Sequence, residues 1–206
     1  MPNRLQKQKG GYTIIETMIT ISLFTIIVMS GMGALLNANA LHQKSQSMRS
    51  ILDSLSFITE DISRNLRTGS RYHCLVGGEV ISPASIDGLS VPKSCGGGGW
   101  AIAFEPPRGD PGDTQDQWIY YISNDGKIFK AAGAPYGASD FVQLTPDGVV
   151  VDVAKSGFVV YGAEPPTTAD RQQPFIIIRF VGSITYKNVV TPFSIQTSAS
   201  QRTIDI

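Results

Sequence analysis

Side chains that could act as catalytic bases are scarce in this 206-residue chain, which has two histidines, His42 and His73. The sequence contains neither a G-x-S-x-G nucleophile elbow nor an H-E-x-x-H zinc motif. His42 lies in a segment with helical periodicity and His73 in the loop expected after it, and we expect both side chains to be solvated. The glycine run 96–99 predicts a flexible connection, because no Gly-Lys-Ser/Thr follows it to form a phosphate-binding loop. We therefore expect no enzymatic activity and no cofactor.

The two cysteines, Cys74 and Cys95, could form one disulfide. They do not form a C-x-x-C redox motif, and two cysteines do not by themselves make a zinc site. In an oxidising compartment the bond would contribute roughly 3 kcal/mol by the chain-entropy model. We predict this disulfide.

The segment RGDPGDTQD carries Asp110, Asp113 and Asp116. Three interpretations are open: a calcium loop formed by the three aspartates, an adhesion tripeptide at Arg108-Gly109-Asp110, or an ordinary acidic turn rich in proline and glycine. The spacing matches no EF-hand, so the turn is preferred, calcium is the weaker alternative, and we predict no metal site.

The distribution of charge separates the first residues from the rest. Of the 17 basic residues, Arg4, Lys7 and Lys9 precede Gly11, which leaves 14 basic residues against all 17 acidic ones. The remainder is mildly acidic and lacks the basic stripe of a general nucleic-acid-binding surface.

An uncharged run of twenty residues from Thr17 to Leu36 follows this basic segment. At about 1.5 Å per residue a helix of this length covers about 30 Å, the thickness of a bilayer core. Gly31 and Gly33 either weaken this helix locally or let neighbouring helices pack closely. Glu16 stands at the entrance, where an unpaired charge costs roughly 2 kcal/mol or more, so its carboxylate is a candidate functional group.

The N-terminal segment could be a cleaved secretory signal, an uncleaved anchor or a more specific signal. The apolar run exceeds an ordinary signal core and no A-x-A cleavage site follows it, whereas Gly10-Gly11 precedes it. Together, KGGYTIIETMI resembles the prepilin signal of type IV pilins and type II secretion pseudopilins. The resemblance implies that a membrane aspartyl peptidase cleaves after Gly11, that Tyr12 becomes the N-methylated first residue, and that Glu16 serves filament assembly.

The same resemblance implies the partners and the location of the chain. Expected partners are prepilin peptidase, other pilin or pseudopilin subunits, the assembly platform with its ATPase, and the membrane. The chain would be a single-pass inner-membrane protein with an exported head, and later part of a cell-surface or periplasmic filament. The ending FSIQTSASQR resembles those of minor pilins and larger pseudopilins, which favours a minor subunit of a type IV pilus. A secretion or competence pseudopilin and a permanently anchored binding module that does not polymerise remain alternatives.

The predicted fold is α+β, with a long N-terminal helix packed on an antiparallel β-sheet head. Apolar steps of three and four predict that the helix continues to about Arg67 and ends with a cap at Gly69. The predicted parts are a leader at 1–11, a transmembrane and filament-core helix at 12–36, an amphipathic helix at 37–68 and a β-rich head at 69–206. Strands are predicted at 100–105, 117–123, 127–131, 149–153, 158–161, 175–181 and 193–198, with a hairpin turn at 124–126.

Overall fold

The computed structural model describes residues 11–82, 86–165, 172–186 and 189–202. The chain divides into two compact units, Met1–Gln46 and Ser47–Ile206. Its elements confirm the predicted α+β class, with one long helix and antiparallel sheets.

Helix α1 runs from Ile14 to Thr68 without interruption, and its ends lie close to the predicted ones. In the second unit, Leu55, Ile58, Ile62 and Leu66 are buried. Their spacing of three and four residues places them on one face of the helix, as an amphipathic helix requires. The chain then turns into the sheets at Gly69, whose N–H donates to the carbonyl of Asn65 at 3.0 Å.

The described residues of the head form two five-stranded sheets rather than the single sheet that the sequence predicted. In the first, sheet A, the strand order is β1-β3-β4-β5-β6 and every pair is antiparallel. The predicted hairpin is present, and Gly126 at its turn has a φ of 70°. The strands of sheet A are β1 Ser70–Leu75, β3 Ala101–Glu105, β4 Trp118–Ile122, β5 Ile128–Ala132 and β6 Val142–Gln143.

In the second sheet, sheet B, the order is β10-β9-β8-β2, and β7 pairs with another part of β9. The last two strands are longer than predicted because each continues its pairing over twelve residues. The strands of sheet B are β2 Cys95–Gly99, β7 Val149–Val151, β8 Gly157–Tyr161, β9 Phe175–Tyr186 and β10 Val189–Ser200. One short helix, α2, spans Ile86–Leu89.

The main core of the head contains side chains from the helix and from both sheets. Ile62 and Leu66 of α1 pack in one cluster with Phe104 of sheet A and with Phe158 and Phe180 of sheet B. A second cluster lies around Ala103, Ile119 and Tyr136, and none of its described members comes from helix α1. Burial of the α1 stripe therefore depends on both sheets at once.

Two predictions about the region after the helix are wrong. The glycine run is not a flexible connection, because it forms strand β2 and pairs with β8. A Cβ on Gly99 would overlap the carbonyl oxygen of Leu75 and lie 2.5 Å from Cys74 Sγ, so a residue without a side chain fits this contact. His73 is not in a solvated loop: it lies in β1, is buried, and its Nδ1 is 2.6 Å from the carbonyl oxygen of Val91.

The predicted disulfide between Cys74 and Cys95 is present, with 5.8 Å between the two Cα atoms. Cys74 lies in β1 and Cys95 in β2, so the bond links sheet A to sheet B. Both cysteines are buried, next to the carbonyl oxygen of Phe158. The bond therefore closes a loop of the chain and ties the two sheets together at the core.

Replacing Gly99 with alanine should lower the free energy of unfolding by about 1–3 kcal/mol, because the new methyl group overlaps backbone that cannot move freely. Gly97 in the same strand is the matched control, since a Cβ there meets nothing within 4 Å. Denaturant unfolding of the purified oxidised chain, followed by tryptophan fluorescence, compares the two variants. Equal stability of Gly99→Ala and Gly97→Ala would show that this close approach is not a constraint.

Candidate functional site

The first part of α1 exposes apolar side chains on all sides. Every residue from 11 to 43 is exposed, including Ile14, Phe24 and Leu36. A helix of a globular protein normally shows an apolar stripe on one face only. By length and composition, α1 could cross a membrane.

The hydroxyl groups of this segment already have hydrogen-bond acceptors within the helix. Between residues 14 and 36, all of which the structure describes, each serine and threonine donates to a carbonyl three or four positions earlier. These donors are Thr17, Thr20, Ser22, Thr25 and Ser30. Such bonds lower the cost of placing a hydroxyl in hydrocarbon. The carboxylate of Glu16 is thus the polar side chain of the segment that remains unsatisfied among the described residues.

Glu16 lies in the first turn of α1, where Thr13 caps the helix. The N–H of Glu16 donates to the carbonyl of Thr13 at 3.1 Å and approaches its Oγ1 at 3.4 Å. The pattern Thr-x-x-Glu is typical of a capping box, a signal that was present in the sequence but not used in predicting the role of Glu16.

If α1 crosses a membrane, helix capping alone does not explain a carboxylate in its first turn. An acid near a helix N-terminus gains about 0.3–1 kcal/mol from the helix dipole. The cost of an unpaired charge in the bilayer is roughly 2 kcal/mol or more, so the dipole offsets only part of it. A cationic partner would offset the remaining cost. No cation contacts Glu16 within residues 11–82 or the other described ranges.

The predicted cleavage position lies just before the helix. Gly11 and Tyr12 are outside regular secondary structure, and the Tyr12 side chain is 83% exposed. A Cβ on Gly11 would meet nothing within 4 Å. The bond between them is therefore accessible, while the leader residues 1–10 lie outside the described residues.

The three predicted calcium candidates act as turn acceptors in the loop between β3 and β4. Asp110 accepts a bond from Gly112, Asp113 from Gln115, and Asp116 from the N–H of Asp110, at 2.7–2.9 Å. In the part of the chain that the structure describes, no three acidic, histidine or cysteine side chains are arranged to hold a metal ion.

Sequence reasoning missed Glu105, a buried carboxyl at the end of β3 beneath this loop. Burial, followed by the negative charge of Asp116, raises its pKa to about 7. Glu105 Oε1, Asp116 Oδ1 and Gln117 Oε1 are buried acceptors without a hydrogen-bond donor in the described structure. A proton on Glu105 removes its buried charge and also supplies one missing donor, so both effects favour the neutral form.

This buried carboxyl should make stability depend on pH. Because the pKa is raised from 4.5 to about 7 on folding, the group's contribution is complete below about pH 4.5 and is lost as the pH rises through 7. In the unsubstituted chain the free energy of unfolding should decline by on the order of 3 kcal/mol from pH 4 to 8, and Glu105→Gln should remove this decline, as measured by denaturant unfolding. Glu60→Gln, at an exposed position of α1, is the control. Parallel pH profiles for Glu105→Gln and the unsubstituted chain would contradict this assignment.

Comparison with known proteins adds no family to these observations: no protein-family model, curated protein or solved structure matches this chain. The resemblance to the prepilin signal therefore stands on residues 9–19, KGGYTIIETMI, together with the helix that follows them. The architecture of one long apolar N-terminal helix and an antiparallel β head is compatible with a pilin fold.

Proposed function

We propose that the chain is a structural, minor subunit of a type IV pilus or a related filament. Prepilin peptidase processes it after Gly11, and it polymerises through the exposed part of α1. The observation that carries this proposal is the first part of helix α1, residues 14–36, which exposes apolar side chains on all sides and carries one charged side chain, Glu16, without a partner in the described residues. A filament core supplies both an apolar environment for the helix and a partner for the charge.

The charge partner in this proposal is created by processing. Cleavage before Tyr12 frees an α-amine, whose pKa near 8 in water makes it a cation at neutral pH. The amine of one subunit meets Glu16 of its neighbour, and this pair sets the axial register as the helices bundle. An ion pair in apolar surroundings is stable only when both charges are present, so leader removal precedes assembly.

Export of the head follows from the charges that flank the helix. Arg4, Lys7 and Lys9 precede the apolar segment, and basic flanks are retained in the cytoplasm. The opposite end of the helix, with the head, then faces the exported side. A disulfide persists in an oxidising compartment, so the bond between Cys74 and Cys95 supports the same topology.

The two alternatives predict different processing or assembly. A secretion or competence pseudopilin shares the N-terminal signal and differs in the machinery that assembles it. A permanently anchored binding module keeps its leader and has no assembled state.

Coexpression with a prepilin peptidase should remove residues 1–11 and leave an N-methylated Tyr12, detected by intact-protein mass spectrometry. Gly11→Val should block the cut, because a side chain then occupies the position that the resemblance assigns to glycine. Gly10→Ala is the adjacent control and should be processed. A chain that keeps its leader beside an active peptidase, while a known prepilin is cut in the same cells, would overturn the proposal.

Replacing Glu16 with alanine should leave membrane insertion and leader removal intact and lower the yield of filaments at least about tenfold. The change makes the span more apolar but leaves the neighbouring amine unpaired, at a cost of roughly 3–5 kcal/mol. Glu16→Gln should behave alike, because it keeps the shape and removes the charge. The measurement compares mature protein in the membrane with subunits recovered in sheared filaments.

Thr25→Ala is the matched control for these variants, since it also removes a polar side chain from the exposed helix. Thr25 bonds only to the carbonyl of Ile21, at 2.8 Å, so its loss should not affect assembly. Normal incorporation of Glu16→Ala into filaments would show that pairing with an amine does not account for the glutamate.

A further inference from the structure

A wide groove on the head is lined partly by aromatic side chains and partly by glycine backbone. Trp100 precedes β3, Tyr121 lies in β4 and Phe141 precedes β6, while Gly97 to Gly99 of β2 form part of the wall. The volume of this aromatic groove is about 990 Å³. A cavity of this size accommodates a small molecule or a short oligomer.

The rings of the aromatic groove are held in fixed orientations. Trp100 Nε1 donates to the carbonyl of Val76 at 3.1 Å, and its ring meets Tyr121 edge to face, with centroids 6.0 Å apart. Tyr121 also meets Phe141 edge to face at 4.9 Å and stacks on Phe129 at 5.1 Å. Trp100, Tyr121 and Phe141 are each partly exposed. The groove therefore presents a preorganised aromatic surface, which limits the entropy lost on binding.

Polar groups without protein partners lie at the same groove. The hydroxyl of Tyr121, the amide of Asn124 and the carboxylate of Asp125 have no hydrogen-bond partner in the described residues. A hydroxyl and an amide both donate and accept, whereas the carboxylate accepts. This combination matches a ligand whose own groups are hydroxyls, each able to donate and accept.

The charge of the groove disfavours an anionic ligand. Among its described lining residues there is no lysine, arginine or histidine. Of the two carboxylates, Glu79 is already paired with Lys93 Nζ at 2.6 Å, which leaves Asp125 as the unpaired charge at the rim. Phosphate, sulfate or sialic acid groups would meet repulsion without a compensating cation.

We propose that the aromatic groove binds neutral carbohydrate. The C–H face of a pyranose ring packs on the electron-rich face of an aromatic ring, and Trp100 has the largest ring system among the lining residues. Sugar hydroxyls then bond to Tyr121, Asn124 and Asp125. Addition of a peptide strand fits less well, because the pairing of β2 shifts between Cys95 and Gly99 and this strand is irregular.

The proposal does not depend on filament assembly and is tested on the full chain in a polyoxyethylene detergent, because sugar-based detergents would compete. The protein is applied to an array of neutral, sialylated and sulfated glycans, and titration calorimetry then measures affinity for a neutral oligosaccharide that binds. Tyr121→Phe and Asn124→Ala should each weaken that affinity about 3- to 10-fold, the effect of losing one hydrogen bond. Trp100→Ala should weaken it at least about tenfold.

Tyr161→Phe is the matched control, because Tyr161 is exposed on β8 and does not line the groove. Tyr121→Phe and Asn124→Ala keep the test valid if Trp100→Ala fails to fold, as judged by circular dichroism. Saturable binding of a neutral glycan that these variants weaken, and Tyr161→Phe does not, supports the proposal. No neutral glycan bound, a preference for anionic glycans, equal affinity in all variants, or competition by an extended peptide alone would overturn it.

Discussion

The contact between Gly69 and Phe104 fixes how the helix joins the head. A side chain at Gly69 would overlap the Phe104 ring, so the helix end approaches sheet A as closely as backbone allows. The same ring stacks on Tyr120 at 5.9 Å and on Tyr72 at 6.4 Å. The Tyr72 hydroxyl lies 2.6–2.7 Å from the carbonyl oxygens of Leu66, in the last turn of the helix, and of Gly69, just after it, so it can donate to a carbonyl at the helix end. Packing and hydrogen bonding at this junction therefore depend on each other.

A cluster of polar side chains joins the helix to sheet A about two turns before Gly69. Asp61 accepts hydrogen bonds from Asn65 and from the hydroxyl of Tyr120, and Lys130 Nζ lies 3.5 Å from the same carboxylate. Lys130 also lies over the ring of Trp118, 4.3 Å from its centroid. Because these groups satisfy one another, the polar edge of the amphipathic helix contacts sheet A as well as its apolar face.

The sequence predicted the elements that depend on residues close together in the chain. Alternating apolar residues predicted β3, and turn residues predicted the β4–β5 hairpin, while steps of three and four predicted nearly all of α1. Strands β1 and β2 were missed, because SRYHCL has little alternation and a glycine run has low strand propensity. Their pairing depends on partners distant in sequence, such as Gly99 against Leu75, and the division into two sheets has the same origin.

The candidate sites also differ in whether their residues are close together or far apart in the sequence. The cleavage position and Glu16 lie within eleven consecutive residues, so one motif contained them. The partners of Glu105 and the lining of the aromatic groove come from segments separated along the chain, and only folding brings them together. The capping residue Thr13 could have been found from the sequence, because Thr-x-x-Glu is a local signal.

The cross-sheet disulfide also determines how the head would respond to mechanical force. If tension enters through α1 and reaches the strands, the bond between Cys74 and Cys95 carries it directly from β1 to β2. The chain between the two cysteines, which are 21 residues apart, then cannot extend under tension. Fully stretched, this segment would be about 70 Å long. Reduction of this single bond would release that length, so the oxidation state sets how far the head can be drawn out before its chain is fully extended.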